Sequence, residues 1–193
     1  CTGHGVPGAM VSVVCNNGLN RAVREYGLKD PGKILTKTRE LVVNELSTGG
    51  DVKDGMDISM VHLDASGAAL KYAGANNPIW IIRKGGTEVE ETKANKQPIG
   101  QFENATDFTT HQIELNKGDR FYLFSDGFAD QFGGLNTGAK KEKKFKSANL
   151  KKLIVSQATF SMDDQKMAFD QAFEEWRCNL EQLDDVCLIG IRI

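Results

Sequence analysis

The sequence predicts a layered α/β domain of the α+β type, from three observations. Two stretches with apolar residues at helical spacing open the chain. A long β-rich block fills its middle. Two more helical stretches then precede one closing apolar segment. Helices, strands, helices and a last strand, in that order, suit a domain in which helices cover antiparallel sheet.

The first helix is expected from about Pro7 to Tyr26. Pro7 suits a first turn, where a missing N–H costs nothing, and Val11 to Val14 begin its apolar stretch. Asn16, Asn17 and Gly18 are poor helix formers, so fraying is expected there. Asp30 and Pro31 start a second helix. Its apolar residues Ile34, Leu35, Leu41, Val42 and Leu46 recur at helical spacing, and Ser47 to Gly50 end it.

The pattern then changes. "MDISMVHLD", "AALKYAG", "NPIWIIRKGG", "TEVEETK", "TTHQIELN" and "DRFYLFSD" are short, β-rich and separated by Gly, Asn or Asp. "LDASGAAL" and "IRKGGTEV" read as hairpins, so the block is expected to be an antiparallel meander. A loop rich in Gly and Lys follows Asp130. Helices are expected from about Asn149 to Thr159 and from about Asp163 to Glu181, the second with Phe169, Phe173, Trp176 and Leu180 on one face. The closing "VCLIGIRI" is apolar on both alternating faces apart from Arg192. That predicts a central strand slotted between earlier ones.

Composition narrows the function. The 193 residues suffice for one domain with a sizeable core, and 40% hydrophobic with 26% charged residues is ordinary for a globular protein. A net charge of -2 gives no reason to expect nucleic acid or an anionic membrane as main partner. No apolar run approaches the ~20 residues of a membrane span. Cys1, Cys15, Cys178 and Cys187 lie far apart with no CxxC pair. That fits a reduced, cytoplasmic protein better than a disulfide scaffold or a zinc site.

Two acidic clusters stand out. Asp126 and Asp130 lie in "LFSDGFAD", just past one apolar strand, and Asp184 and Asp185 lie in "DDVCLI", just before another. If the strands are antiparallel neighbours, all four carboxylates can converge at one sheet edge, with Gly127 allowing a sharp turn. Clustered carboxylates repel unless a cation lies between them. Oxygen-only donors favour Mg²⁺ or Mn²⁺. Two such ions bridged by a water make a hydroxide nucleophile for a phosphate ester. The plainer account is that these are turn and strand-cap aspartates.

Five stretches now stand in one order: "CTGHGVPGAM", "YAGANNPIWIIRKG", "KQPIG", "FYLFSDGFADQFGG" and "LDDVCLIGIRI". Together they resemble the metal-dependent serine/threonine protein phosphatases (PPM, type 2C), closest to the bacterial SpoIIE/RsbU-like branch. The likeness spans nearly the whole chain. It implies an antiparallel β-sandwich flanked by helices (αββα), with two Mn²⁺ or Mg²⁺ ions at one end. It implies hydrolysis of phosphoserine or phosphothreonine on a small regulatory protein, of the anti-sigma-factor-antagonist type. It also implies an output module behind a sensor domain in a longer parent, with dimerisation in some members.

The resemblance carries roles onto single residues. Asp126 and Asp184 match metal ligands; Asp185 is the lesser of its pair, and Asp130 matches a position for an additional, weaker ion. Cys1 matches the residue that offers its backbone carbonyl to a metal. In the family's first motif a bridging Asp stands just before that position. The expectation is therefore an N-terminally truncated domain, 1–193, lacking its first strands and this Asp, with weak or no turnover. Thr2 stands where eukaryotic members carry a His that protonates the leaving group. His4 or a metal-bound water is left as the proton source, and a plain turn residue between glycines is an equal account of His4.

Two other classes compete: a non-catalytic pseudophosphatase that binds a partner, and a hydrolase with Cys1 as N-terminal nucleophile. "KKEKKFKSANLKK", Lys140 to Lys152, can steer an acidic phosphoprotein or be a solvated loop and helix start. Asn76, Asn77 and Pro78 suit a turn. Trp80 and Trp176 suit the core or an interface. Asp54, Asp57, His62 and His111 are assigned no chemistry.

Overall fold

The structure, a computed structural model, describes residues 1, 3, 5–46, 54–65, 67–134 and 141–193. Along the chain come α1 (Gly5–Arg24) and α2 (Pro31–Leu46), then β1 (Gly55–Met56), β2 (Ile58–Leu63), β3 (Ala69–Ala75), β4 (Ile79–Ile82), β5 (Glu90–Thr92), β6 (Ile99–Gly100), β7 (His111–Glu114) and β8 (Arg120–Phe124). A short α3 (Gly127–Asp130) follows, then β9 (Phe132–Gly133), β10 (Lys143–Lys144), α4 (Ser147–Ser156), α5 (Met162–Arg177) and β11 (Leu188–Arg192). The chain is a mixed α/β fold of helices and antiparallel sheets, in two compact units: residues 1–79 with 92–115, and residues 80–91 with 116–193.

In the first unit, α1 and α2 pack with the antiparallel sheet β2-β3-β7, whose register runs from Ile58 opposite Ala75 to Leu63 opposite Leu70. Val11, Cys15, Leu35, Val42, Ala73, Ala75, Ile99 and Phe108 form its core. The expected fraying of α1 does not occur, since the helix is continuous through Asn16, Asn17 and Gly18. Gly18 is buried, and a Cβ there would stand 3.3 Å from Thr38 Cγ2 and 3.4 Å from Val42 Cγ2. What lowers helix propensity here is what lets α2 approach; tertiary packing outweighs roughly 1 kcal/mol of intrinsic preference. The start of α2 is tied to the sheet: Asp30 Oδ1 accepts from Lys33 N–H and from the Thr110 hydroxyl, which in turn accepts from Gly32 N–H. The expected stop at Ser47 to Gly50 lies outside the described residues.

In the second unit, a four-stranded sheet has the order β11-β8-β4-β5. Trp80, Ile82, Tyr122, Phe128, Phe145, Leu150, Ile154, Phe169 and Phe173 form its core. Helix α5 starts at a Ser161 cap, whose oxygen accepts from Asp164 N–H at 3.1 Å. It ends at Arg177, short of Glu181, because Cys178 takes φ 51°, outside the helical region. Leu180 therefore falls beyond the helix that carries Phe169, Phe173 and Trp176. Helix α4 begins at Ser147, two residues before the expected Asn149.

Two expectations are corrected. The β-rich block is not a simple meander: the chain leaves β3 for β4 in the other sheet, then returns to place β7 beside β3. The closing strand is not central. Among the described residues β11 pairs only with β8 and forms the edge. Leu188 packs against the core while Ile189 is 48% exposed. Apolar composition reports what a strand's faces can bury, not whether both of its hydrogen-bonding edges are paired.

Candidate metal centre

Strands β8 and β11 run antiparallel, with Phe124 opposite Leu188. The exit of β8 therefore lies beside the entry of β11, the arrangement on which any meeting of the two acidic clusters depends. Ser125 continues the ladder past both strands. Its N–H donates to Cys187 O at 2.9 Å, and its hydroxyl donates to Asp185 O at 2.8 Å and accepts from Cys187 N–H at 2.9 Å. Asp126 follows this clamp and Asp184 precedes it by one residue, so the two leading candidates leave adjacent chains held in fixed register.

Gly127 makes the approach possible. A Cβ there would lie 2.5 Å from Asp185 O, closer than real Cβ contacts allow. Asp126 is the N-cap of α3, yet its exposed side chain makes no capping bond, which is the commonest structural use of an aspartate in that place. Asp184 is exposed and accepts Asp185 N–H at 2.8 Å through Oδ1.

The other candidates sit differently. Asp130 ends α3 and pairs through Oδ2 with Lys144 Nζ at 2.8 Å. Asp185 gives its carbonyl to Ser125. Cys1 is exposed and belongs to the first unit, and His4 lies outside the described residues. Among the described residues, no three or more His, Cys, Asp or Glu side chains group so as to hold a metal ion. What the ladder presents is two carboxylate arms, all oxygen, and this donor set fits a hard divalent cation.

Sequence reasoning missed two residues that position these arms. Ser125 is one; a hydroxyl directly between an apolar strand and Asp-Gly is a legible signal. Gln131 is the other. It is 1% exposed, and its Nε2 donates to Phe132 O and to Glu181 O, both at 3.0 Å, tying the end of α3 to the loop that carries Asp184. Nothing in the sequence separates this glutamine from a surface one.

Several weaker candidates have structural roles. Asn76 takes φ 58° and donates to Asp57 Oδ1 at 2.8 Å, and Asn77 O accepts from Ser59 and Tyr72 hydroxyls at 2.7 Å each, which builds the turn. Trp80 is buried with Nε1 donating to Glu91 at 3.0 Å, and Trp176 Nε1 donates to Gln131 O at 3.0 Å. His111 stacks on Tyr72 in the first unit, with ring centroids 5.9 Å apart.

Comparison with known proteins follows this geometry. Residues 1–193 match the family described as Stage II sporulation protein E (SpoIIE). Among solved structures, the SiaA-PP2C domain of Pseudomonas aeruginosa is 28% identical with a TM-score of 0.85, covering 100% of this chain and 73% of that one. The RsbU and RsbW domains of Rv1364c from Mycobacterium tuberculosis give 19% identity and a TM-score of 0.70, over 99% and 49% of the two chains. The PP2C phosphatase domain of SpoIIE from Bacillus subtilis, with a fragment of its regulatory domain, gives 19% and 0.69, over 100% and 52%; its phosphatase domain has also been solved after presoaking with Mn. The chain thus spans about half the length of the latter two. A comparison with curated protein sequences gives no match.

Proposed function

The chain belongs to the SpoIIE family of PP2C-type phosphatase domains, and from that premise we propose that it is a metal-dependent protein serine/threonine phosphatase domain. Its substrate is a phosphorylated regulatory protein of the anti-sigma-factor-antagonist type. It serves as the output module of a bacterial signalling protein in the cytoplasm. The observation that carries this reading is the β8–β11 ladder, which sets Asp126 and Asp184 on neighbouring chains around the Ser125 clamp. The regulatory fragment beside the SpoIIE phosphatase domain supports the modular part.

Asp126 and Asp184 hold Mn²⁺ or Mg²⁺ in this proposal, and the Mn-presoaked SpoIIE domain is a precedent within the fold. When bound, such ions supply a nucleophile from water and offset charge on the phosphate. Ser125 and Gln131 tie together the two loops that carry these carboxylates, which limits how far either loop can drift from the other. No helix of the described residues is long and apolar enough to cross a membrane, and the four thiols are free, which suits a reducing compartment.

The test is phosphate release from a phosphoserine protein with Mn²⁺, using the chain preceded by one Asp. Turnover that needs both Mn²⁺ and Asp126 is expected. Mn²⁺ binding without turnover on any phosphoprotein would favour a partner-binding pseudophosphatase. Failure to bind Mn²⁺ would remove the metal centre.

A further inference from the structure

The basic segment after β9 is not an idle loop. Residues 141–152 hold six lysines against one glutamate, Glu142. The segment is pinned rather than loose: β10 pairs with β9, Phe145 N–H donates to Gln131 O at 3.0 Å, and Lys146 N–H donates to Ala129 O at 2.7 Å. The Phe145 ring is buried edge-on against Phe128 and Trp176, each at a centroid distance of 5.1 Å. The lysines are therefore displayed from a rigid base, hydrogen-bonded directly to α3, the helix that Asp126 begins.

Three of the six are committed within the unit. Lys144 pairs with Asp130, Lys151 pairs with Glu91 and lies over Trp80, and Lys143 lies over Trp176. Lys141, Lys146 and Lys152 are exposed, and their side chains make no hydrogen bond or ion pair among the described residues. Lys146 adds a second, independent observation. Its backbone has φ 73° and ψ 144°, close to a region that is nearly exclusive to glycine. Glycine would relieve the backbone, and no hydrogen bond or ion pair of the Lys146 side chain among the described residues explains why lysine stands there. The strain makes sense if the ammonium serves something outside the chain.

We propose that β10 and the start of α4 form a docking surface for an acidic segment flanking the phosphoserine of the protein substrate, with Lys146 as its central contact. This rests on the phosphatase reading above for the identity of the partner. The charge pattern favours a short acidic peptide over an extended polyanion such as nucleic acid. The neighbouring α5 carries Asp163, Asp164, Asp170, Glu174 and Glu175, which would repel a long polyanion, while a short segment fits the basic strip alone.

The test uses fluorescence anisotropy with two phosphoserine peptides, one flanked by Asp and Glu and one by Asn and Gln. The acidic peptide is expected to bind roughly tenfold more tightly, an advantage lost in K141E/K146E/K152E and at high salt. The variant K146G separates function from folding: its melting temperature should stay level or rise while acidic-peptide affinity falls. Equal affinity for the two peptides overturns the proposal, as does an acidic-peptide affinity untouched by the lysine variants. Equally tight binding of single-stranded DNA of matched charge overturns it too. Hydrolysis of p-nitrophenyl phosphate with Mn²⁺ reports on the phosphatase reading separately, since that substrate carries no acidic flanking segment.

Discussion

Strand β8 carries an aspartate near each end, and the two could hardly be more different. Asp119, just before the strand, is 2% exposed. Its Oδ2 accepts from Arg83 Nη1 and Asn116 N–H, both at 3.0 Å, and its Oδ1 accepts from Lys84 N–H at 2.9 Å. Asp126, just past the strand, is exposed and leaves its cap position unused. One carboxylate is buried under donors and joins the β4–β5 turn to β8. The other stands on a clamped ladder beside the chain that brings Asp184. Burial under fixed donors, not residue type or motif, separates Asp119 from the solvent-facing Asp126.

The largest expected effect tests the exposed end. With the chain preceded by Asp and with Mn²⁺ present, D126N should lower phosphate release at least about 100-fold, because one ligand arm is neutralised. Because Asp126 is exposed, D126N should cost less stability than D119N. D119N should do the reverse, losing roughly 2–3 kcal/mol of stability in urea titration as a buried, charge-assisted network is broken, with turnover of the folded fraction retained. If D119N lost turnover at full stability, the contrast between the two ends would be wrong.

Ser125 offers an intermediate effect that sharpens the same contrast. S125A leaves Cys187 N–H and Asp185 O without their partner and frees the two loops from a common register. It should cost about 1–2 kcal/mol in stability and lower Mn²⁺ affinity about tenfold by titration calorimetry. A stability loss with unchanged Mn²⁺ affinity would mean that the clamp serves the fold alone.

Much of this was legible in the sequence, for identifiable reasons. The helices were readable because Ile34, Leu35, Leu41 and Val42 repeat at helical spacing, while acidic pairs flanking two apolar runs only posed the question whether β8 and β11 are neighbours, which the structure answers. The edge position of β11 was not readable, because an apolar strand covered on one face looks like a central one. Gly18 was misleading: its cost to the helix is local and visible, while the gain from packing against Thr38 is long-range and invisible. Asp119 went unremarked for the same reason. Its partners Arg83 and Lys84 come from a turn some thirty-five residues away, and only the fold brings them together. Gln131, fifty residues from Glu181, is a third case.

The smallest expected effect is a matter of pH. Burial pushes the Asp119 carboxyl up, but the Asn116 and Lys84 N–H donors and the Arg83 guanidinium outweigh it and hold the group below the usual carboxylate range. A depressed carboxyl contributes stability that is complete above the unfolded value, about pH 4, and is lost as pH falls through the lower folded value. The neutral amide of D119N has no proton to gain and cannot follow that course. The stability gap between wild type and D119N should therefore be constant from about pH 7 to pH 5 and close below about pH 4. Asp30 in the first unit is depressed too: burial raises it, and the Thr110 hydroxyl and Lys33 N–H more than compensate. It remains in D119N, so that variant should keep a shallower acid slope, which D30N then removes. A D119N curve that kept the full wild-type slope would mean that Asp119 is not held charged by its three donors, and the distinction between the two ends of β8 would lose its electrostatic basis.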